Sequence, residues 1–463
     1  MSEGRYTLDI ETLQKFDRPG PRYTSYPTAV EFHDGVGDED YEKALAEVNE
    51  SPQDSLAAYI HLPFCEERCT FCGCHVIATQ HREVADKYLD YLDIEIGRVA
   101  ELLPDRRGLA QVHLGGGTPT YLTPSQLERL WKTLTSRFHL LDGAEVAIEV
   151  DPRVTKLEHL DTLGSLGFNR LSMGVQDFTE DVQDAIGRHQ SYEQTQRVLE
   201  HARKVGFHEG INIDLVYGLP RQTEETFLDG LSKVASLRPD RLAVYSFAYV
   251  PWIRGNQRKI DTDDLPSADL KLRLYLAALN HFIDHGYDPI GMDHFALPDD
   301  ELAVAQREGR LARNFMGYTV KPAKANLGFG VSSIGDIPAG YFQNMKKLST
   351  YYERIDQGGL PIEKGFLLSD DDRLRRWVIT QVMCNFQVKK AEVQERFGVD
   401  FDSYFADALA ALAELEGAGF VSRDEDALRI TDAGKLLVRN AAMVFDAYMG
   451  KKDKSKPVFS RTV

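Results

Sequence analysis

Four cysteines, Cys65, Cys69, Cys72 and Cys74, fall within ten residues of this chain, while the fifth, Cys384, stands far from them. A disulfide framework spreads its cysteines to close long loops, so this crowding points to metal or redox chemistry in a reducing compartment. Cys65-x3-Cys69-x2-Cys72 places three thiolates on one loop, and Cys74 follows after a single Gly. Tetrahedral zinc prefers two C-x2-C knuckles or a Cys/His pair further along, and no second knuckle exists. Three thiolates suit three irons of a 4Fe–4S cluster and leave the fourth iron without a protein ligand. Such an open position is what a catalytic metal needs. With Cys74 as fourth ligand the loop would be a closed electron carrier, but the C-x-C step is short for bridging neighbouring irons. Three ligands is the favoured reading, with the closed cluster and zinc as alternatives.

Elements that could position this loop recur along the chain. Short apolar runs read as strands covered on both faces: Leu56–His61, Ala110–Leu114, Val146–Val150, Arg170–Val175, Ile211–Val216 and Leu242–Phe247. Between them, Arg82–Leu103, Pro124–Phe138, Leu157–Leu166, Tyr192–Val205 and Glu224–Leu237 carry apolar residues at helical spacing, closed by Gly or Pro. Six β–α repeats suggest a parallel barrel or an incomplete one rather than an open sheet. In a barrel the active site lies at the carboxyl ends of the strands. The cysteine loop follows the first strand, Gly115–Thr118 the second, Glu149 and Asp151 close the third, Gln176 follows the fourth and Asp214 lies within the fifth. That coincidence is stronger than any single motif.

Beyond about Gly365 the texture changes. Helical patterns at Asp370–Phe386, Lys390–Phe397 and Tyr404–Ala418 precede strands Phe420–Ser422 and Leu428–Thr431, and a last helix is expected over Ala433–Met449. This resembles a winged helix. Residues 366–463 hold 15 basic against 16 acidic side chains, too few cations for a phosphate-tracking surface, so no nucleic-acid partner is expected. The whole chain, with 54 Lys plus Arg against 72 Asp plus Glu and a formal charge of −18, argues the same and against an anionic membrane. No stretch reaches the ~18 apolar residues of a membrane span, and residues 1–20 look unlike a secretory or organellar leader. A cytoplasmic, metal-using protein is expected. Cys384, in an apolar helix, reads as an inert core residue, His61, His75 and His294 as packing or hydrogen-bonding groups, and Lys451–Lys456 as a solvated tail.

Tyr59-Ile-His-Leu-Pro-Phe-Cys65-x3-Cys69-x-Phe71-Cys72-Gly-Cys74 resembles the radical S-adenosylmethionine (SAM) superfamily. Within it, the chain is similar nearly end to end to the oxygen-independent coproporphyrinogen III oxidase family. The segments that carry the likeness are Arg22-Tyr-Thr-Ser-Tyr-Pro-Thr28, Gly115-Gly-Gly-Thr-Pro-Thr120, Ile148-Glu-Val-Asp-Pro152, Asp214-Leu-Val-Tyr-Gly-Leu-Pro220, Met292-Asp-His-Phe295 and Asn314-Phe315. The RYTSYPT segment and the extra Cys74 make it specific. The resemblance implies an α/β fold: an N-terminal extension over the active site (1–55), an incomplete (β/α)6 radical SAM barrel with its extension (56–365) and a helical, winged-helix-like unit (366–463).

It also implies a chemistry. Cys65, Cys69 and Cys72 would hold a 4Fe–4S cluster whose open iron binds SAM, and one electron would split SAM into methionine and a 5′-deoxyadenosyl radical. Tyr59, Gly116, Glu149 and Ile334 would hold that SAM. Phe71, Gly117, Thr118, Gln176, Arg188, Asp214 and Ala248 would hold a second one. The implied reaction oxidatively decarboxylates two propionates of coproporphyrinogen III to vinyls, giving protoporphyrinogen IX in haem biosynthesis. A flavodoxin-type electron donor, an unidentified acceptor and a monomeric enzyme are expected. Because the substrate is a tetra-anion near neutral pH, local cations are required. Arg22, Tyr23 and Phe315 are expected at the substrate, with Arg22 meeting a propionate, and the alternative is an N-terminal segment that only packs on the barrel. Two departures from relatives stand out: Met316, where some carry Gln, and the stretch Tyr318–Lys324. The competing readings are a haem chaperone-like relative, which typically lacks Cys74 and RYTSYPT, and a two-SAM radical enzyme acting on another scaffold.

Overall fold

The structure, a computed structural model, describes residues 10–51 and 55–449 together with Phe459 and Arg461. The basic tail Lys451–Lys456 and residues 1–9 lie outside the described residues. Six strands appear where the apolar runs predict them: β1 (Leu56–Leu62), β2 (Gly108–Gly116), β3 (His139–Val150), β4 (Arg170–Gln176), β5 (Ile211–Tyr217) and β6 (Arg241–Ser246). They pair parallel in chain order. Helices Glu83–Glu101, Pro124–Thr135, Leu157–Ser165, Tyr192–Val205 and Glu224–Leu237 connect them. Their starts follow from local chemistry. Thr123, Ser191 and Thr223 each accept the backbone N–H three residues on, and Pro124 occupies a first-turn position whose missing N–H costs nothing.

Alternate residues on each strand face one interior. Gln111 and His113 of β2, Glu145 and Glu149 of β3, Arg170 and Ser172 of β4, Asn212 and Asp214 of β5, and Arg241 and Tyr245 of β6 line a single cavity of about 100 Å³. A flat sheet could not gather these side chains, so the strands are rolled into a partial barrel.

The sheet extends further than the six repeats suggest. Ala325–Phe329 pairs parallel with β1 and begins an antiparallel run through Ile334–Ile337, Gly340–Asn344 and Ile362–Leu367. His294–Ala296 and Asp288–Gly291 add antiparallel strands beyond β6, giving twelve in all. The hairpin of Ala312–Asn314 and Gly317–Thr319 supplies the remaining wall of the interior cavity.

The C-terminal region departs from expectation in detail. Asp370–Thr380 is α-helical, but Gln381–Asn385 forms a π-turn that Phe386 ends at φ +55°. Tyr404–Ala418 is broken into short helices, and in place of one last helix stand a 3-10 turn, Ala433–Leu437, and Val438–Met443. Gln387–Lys389, Ala427–Ile430 and Val421–Arg423 form a three-stranded antiparallel sheet. The N-terminal segment is clasped between this region and the barrel. Arg439 Nε donates to Pro21 O (3.0 Å), Tyr23 Oη to Asp446 (2.9 Å), and Ala447 N to Tyr26 Oη (3.1 Å).

Candidate active site

The carboxyl ends of β1 to β5 carry the residues that the sequence singled out. Cys65, Cys69 and Cys72 ring a cavity of about 170 Å³ with Gly116, Gly117 and Thr118. Cys65 Sγ lies 3.2 Å from Thr118 Oγ1, and Cys74 N donates to Cys72 Sγ at 3.4 Å. Arg153 and Arg188 both reach Cys69 Sγ, at 3.7 and 4.0 Å. Burial, helped by the neighbouring Cys72, Cys69 and Asp151 and opposed by the Thr118 hydrogen bond, pushes the Cys65 thiol up to about 11, so ligation would supply the stabilisation that the free thiolate lacks. Among the described residues no three His, Cys, Asp or Glu side chains converge on a point fit for one ion. The thiols instead surround a volume, which fits a multi-iron cluster better than zinc.

Glu149 is the hinge of the site. It borders the 170 Å³ cavity, the barrel interior and a third cavity of about 610 Å³. Its carboxylate accepts from His113 Nε2 and from Gly116 N, each at 3.1 Å. Burial pushes this carboxyl up, but the His113 and Gly116 hydrogen bonds outweigh it and hold the group below its ordinary value. Asp214 shows the opposite balance. Burial dominates over hydrogen bonds from Asn212 (2.8 Å) and Ser172 (3.3 Å), and pushes its carboxyl up to about 7.

The glycines at the end of β2 are required by protein packing. A Cβ on Gly116, at φ +118°, would lie 2.6 Å from the His61 ring, and one on Gly117 would lie 2.7 Å from the backbone of Pro63. Sequence reasoning assigned them to ligand approach; the nearer constraint is the β1 end packed against them.

The two expected cofactor sets line adjoining cavities that share Gly116 and Glu149. Tyr59, Gly116, Glu149 and Ile334 all line the 610 Å³ cavity, together with Phe315. Phe71, Gly117, Thr118, Gln176, Arg188 and Asp214 line the 170 Å³ cavity, but Ala248 does not. Ala248 joins that set through Gln257, whose Nε2 donates to Ala248 O and to Phe71 O, both at 3.1 Å. Arg188 is anchored by Asp151 (2.8 Å) and the Gly174 carbonyl, which leaves its buried Nε unpartnered.

Arg22 and Tyr23 fall elsewhere. Arg22 pairs with Asp293 and stacks over Tyr245 at 5.6 Å, while Tyr23 is tied to Asp446. Both belong to the clasp between barrel and C-terminal region, and neither lines the large cavity. A segment rich in Arg and Tyr reads as substrate-binding in sequence because its partners lie hundreds of residues away. Conversely, Asn256 escaped notice. Its Nδ2 donates to the carbonyls of Cys69 (3.1 Å), Thr70 (2.9 Å) and Cys72 (3.0 Å), fixing the cysteine loop. Only its loop setting hinted at this. Cys384 is buried, with its thiol pushed up to about 12, and His61 bridges Tyr59 Oη and His75 O, both at 3.0 Å, as packing roles require.

Fold and mouth chemistry together define the class: a barrel enzyme that works through a cysteine-held cluster. Residues 59–233 match the radical SAM superfamily, and residues 368–437 match the HemN C-terminal domain. The chain is 46% identical over 463 residues to the oxygen-independent coproporphyrinogen III oxidases of Salmonella typhimurium and Escherichia coli, covering 100% of this chain and of each relative. It is 43% identical over 460 residues to that of Synechocystis, covering 98% of each. A solved structure of coproporphyrinogen III oxidase (HemN) from Escherichia coli, described as a radical SAM enzyme, aligns at TM-score 0.91 and 45% identity over 96% of this chain and 100% of that one. The chain therefore belongs to the oxygen-independent coproporphyrinogen III oxidase family of radical SAM enzymes. The cofactors of that class are a 4Fe–4S cluster and SAM. Among the described residues no helix is long and apolar enough to cross a membrane.

Proposed function

We propose that this chain decarboxylates two propionates of coproporphyrinogen III oxidatively, without oxygen, to give the vinyl groups of protoporphyrinogen IX. The observation that carries the reading is the junction at Glu149, where a thiol-ringed cavity opens beside one of about 610 Å³. Pockets of that size hold drug-sized ligands and larger cofactors.

Cys65, Cys69 and Cys72 would hold the cluster, with Asn256 fixing their loop. When bound, cluster and SAM supply the 5′-deoxyadenosyl radical that removes a hydrogen atom from a substrate propionate arm. Tyr59, Gly116, Glu149 and Ile334 orient the SAM on the cluster, and the Glu149 carboxylate, held ionised by His113, accepts from its polar groups. A second SAM would lie beside the cluster, against Phe71, Gly117, Thr118, Gln176, Arg188 and Asp214. There Arg188 Nε meets a carboxylate and Asp214 an ammonium, whose charge would draw the Asp214 proton off.

The propionates need cations inside a chain of charge −18. Arg22 is occupied by Asp293. Arg254 and Lys346 line the large cavity, and no carboxylate pairs with either among the described residues. They are the groups that meet the propionates, with Phe315 against the tetrapyrrole. The donor is a flavodoxin-type carrier, and the enzyme works as a cytoplasmic monomer.

The test is anaerobic reconstitution with iron and sulfide, then SAM, reductant and coproporphyrinogen III. Formation of 5′-deoxyadenosine with protoporphyrinogen is expected; deoxyadenosine without decarboxylated product would refute the substrate. In the same assay Lys346→Ala should raise KM several-fold with kcat nearly unchanged, because a rim cation contributes on the order of 1 kcal/mol. An unchanged KM would remove Lys346 from the substrate site.

A further inference from the structure

Beside the cysteine loop lies a surface that the cavities do not use. Residues 251–259 follow β6 and fold onto the cysteine loop through Asn256 and Gln257, which bond the carbonyls of Cys69, Thr70, Phe71 and Cys72. The residues flanking these anchors are exposed. Trp252 and Ile253 are each 58% exposed, more than any other large apolar side chain among the described residues, and they are adjacent. Neither borders the 170 or the 610 Å³ cavity.

Cations stand on the same segment and on the cysteine loop that it covers. Arg258 and Lys259 are exposed, and among the described residues the one hydrogen bond of Arg258 is to the Pro251 carbonyl (3.3 Å). Arg68, on the cysteine loop, is exposed and donates to the Cys74 carbonyl (3.4 Å). Other surface arginines are taken up by carboxylates, as in Arg82–Glu66, Arg129–Asp90 and Arg221–Asp264. The same pairs engage Glu66 and Asp264. On the cysteine loop and residues 251–264 that leaves Glu67, Asp261 and Asp263 without a cationic partner among the described residues, against the three cations and Arg254 at the cavity rim.

An apolar centre within a charged rim is the anatomy of a small, transient protein interface, and electron-transfer encounters sit at the low end of interface size. We propose that Trp252, Ile253, Arg258, Lys259 and Arg68 form the docking surface for a small acidic one-electron carrier protein. The inference rests on the reading that the cysteine loop holds the cluster. The carrier loses one electron and the cluster gains it; no bond forms or breaks and no proton moves. Docking here puts the carrier against a loop that is hydrogen-bonded directly to the backbone of the cluster ligands, so the electron enters without crossing the substrate cavity.

The probe is a purified bacterial flavodoxin, with reconstituted holoenzyme and two variants, Arg258→Glu/Lys259→Glu and Trp252→Ala. Flavodoxin affinity at low ionic strength should fall about tenfold in each, and the gap for the charge variant should close as salt rises. SAM cleavage driven by reduced flavodoxin should fall in parallel, while cleavage driven by dithionite and the iron content stay at the wild-type level. Wild-type affinity in both variants, or no measurable binding by the wild type, overturns the proposal. So does an equal fall with both reductants, or a raised KM for coproporphyrinogen III with flavodoxin affinity intact, since either would make the patch a wall of the active site. No deoxyadenosine from the wild type with dithionite would sink the functional reading itself, and the docking surface with it.

Discussion

The two ends of the barrel use the same strands and the same kinds of residue to opposite ends. Glu145 and Glu149 lie four residues apart on β3, about 13 Å along the strand, and both face the interior. At the base, Glu145 accepts from Arg170 (2.6 Å) and Gln111 (3.1 Å), and Arg241 meets Asp300 (2.8 Å) and Glu301 (3.0 Å). Burial alone would push Glu145 up, but Arg170 and Arg241 outweigh it and hold it down. At the mouth, no guanidinium or ammonium contacts Asp214 or Glu149 among the described residues; their partners are Asn212, Ser172, His113 and a backbone N–H. Charges satisfied by guanidinium groups within the fold are architecture. Those without a guanidinium or ammonium partner are poised for a ligand.

The largest effect should come from unpairing the base. Arg241→Met strands Asp300 in the interior and should cost about 3–5 kcal/mol, read as a lower urea midpoint of the cluster-free protein. A loss under about 1 kcal/mol would mean that water already satisfies the base, and the contrast between the ends would collapse. At the mouth, Glu149→Gln keeps acceptor geometry while removing charge. It should cost about 1.5–3 kcal/mol of stability, the value of a hydrogen bond to a charged group, yet suppress deoxyadenosine formation in the reconstituted enzyme. A variant that unfolds like Arg241→Met would place Glu149 with the architecture.

This distinction is where sequence reading stops. The six strands, their connecting helices and the cysteine loop were legible because each rests on local signals: apolar runs, capping residues and thiol spacing. Ala325–Phe329 was not, since a five-residue segment containing Gly shows its pairing with β1 only once β1 is in place. Arg22 and Arg241 look alike in sequence, and what decides each role is a partner, Asp293 or Asp300, brought in by the fold. The cofactor residues were legible through the family likeness, whereas Asn256 acts through three carbonyls that no residue pattern encodes.

The smallest effect isolates the mouth by its proton. Asp214 has an ordinary value of 3.8, and burial pushes it to about 7 in the folded chain. Between those limits the folded state keeps a proton that the unfolded state has released, so stability falls as pH rises from about 4 to about 7 and levels off above. The steepest contribution one such group can make is about 1.4 kcal/mol per pH unit. Glu95 is also pushed up to about 7 by burial, and Asp177 is raised too, so the wild-type profile alone mixes several groups. The difference between wild type and Asp214→Asn cancels the others and leaves Asp214. With cluster and SAM absent, the asparagine variant should match the wild type near pH 4 and become the more stable of the two by pH 7, because an amide pays no penalty for charge in a buried place. The measurement is the urea midpoint of both proteins across that range. A flat difference would mean that Asp214 is ionised and satisfied in the empty site, as Glu145 is at the base, and the mouth would then hold no unspent charge for a ligand to meet.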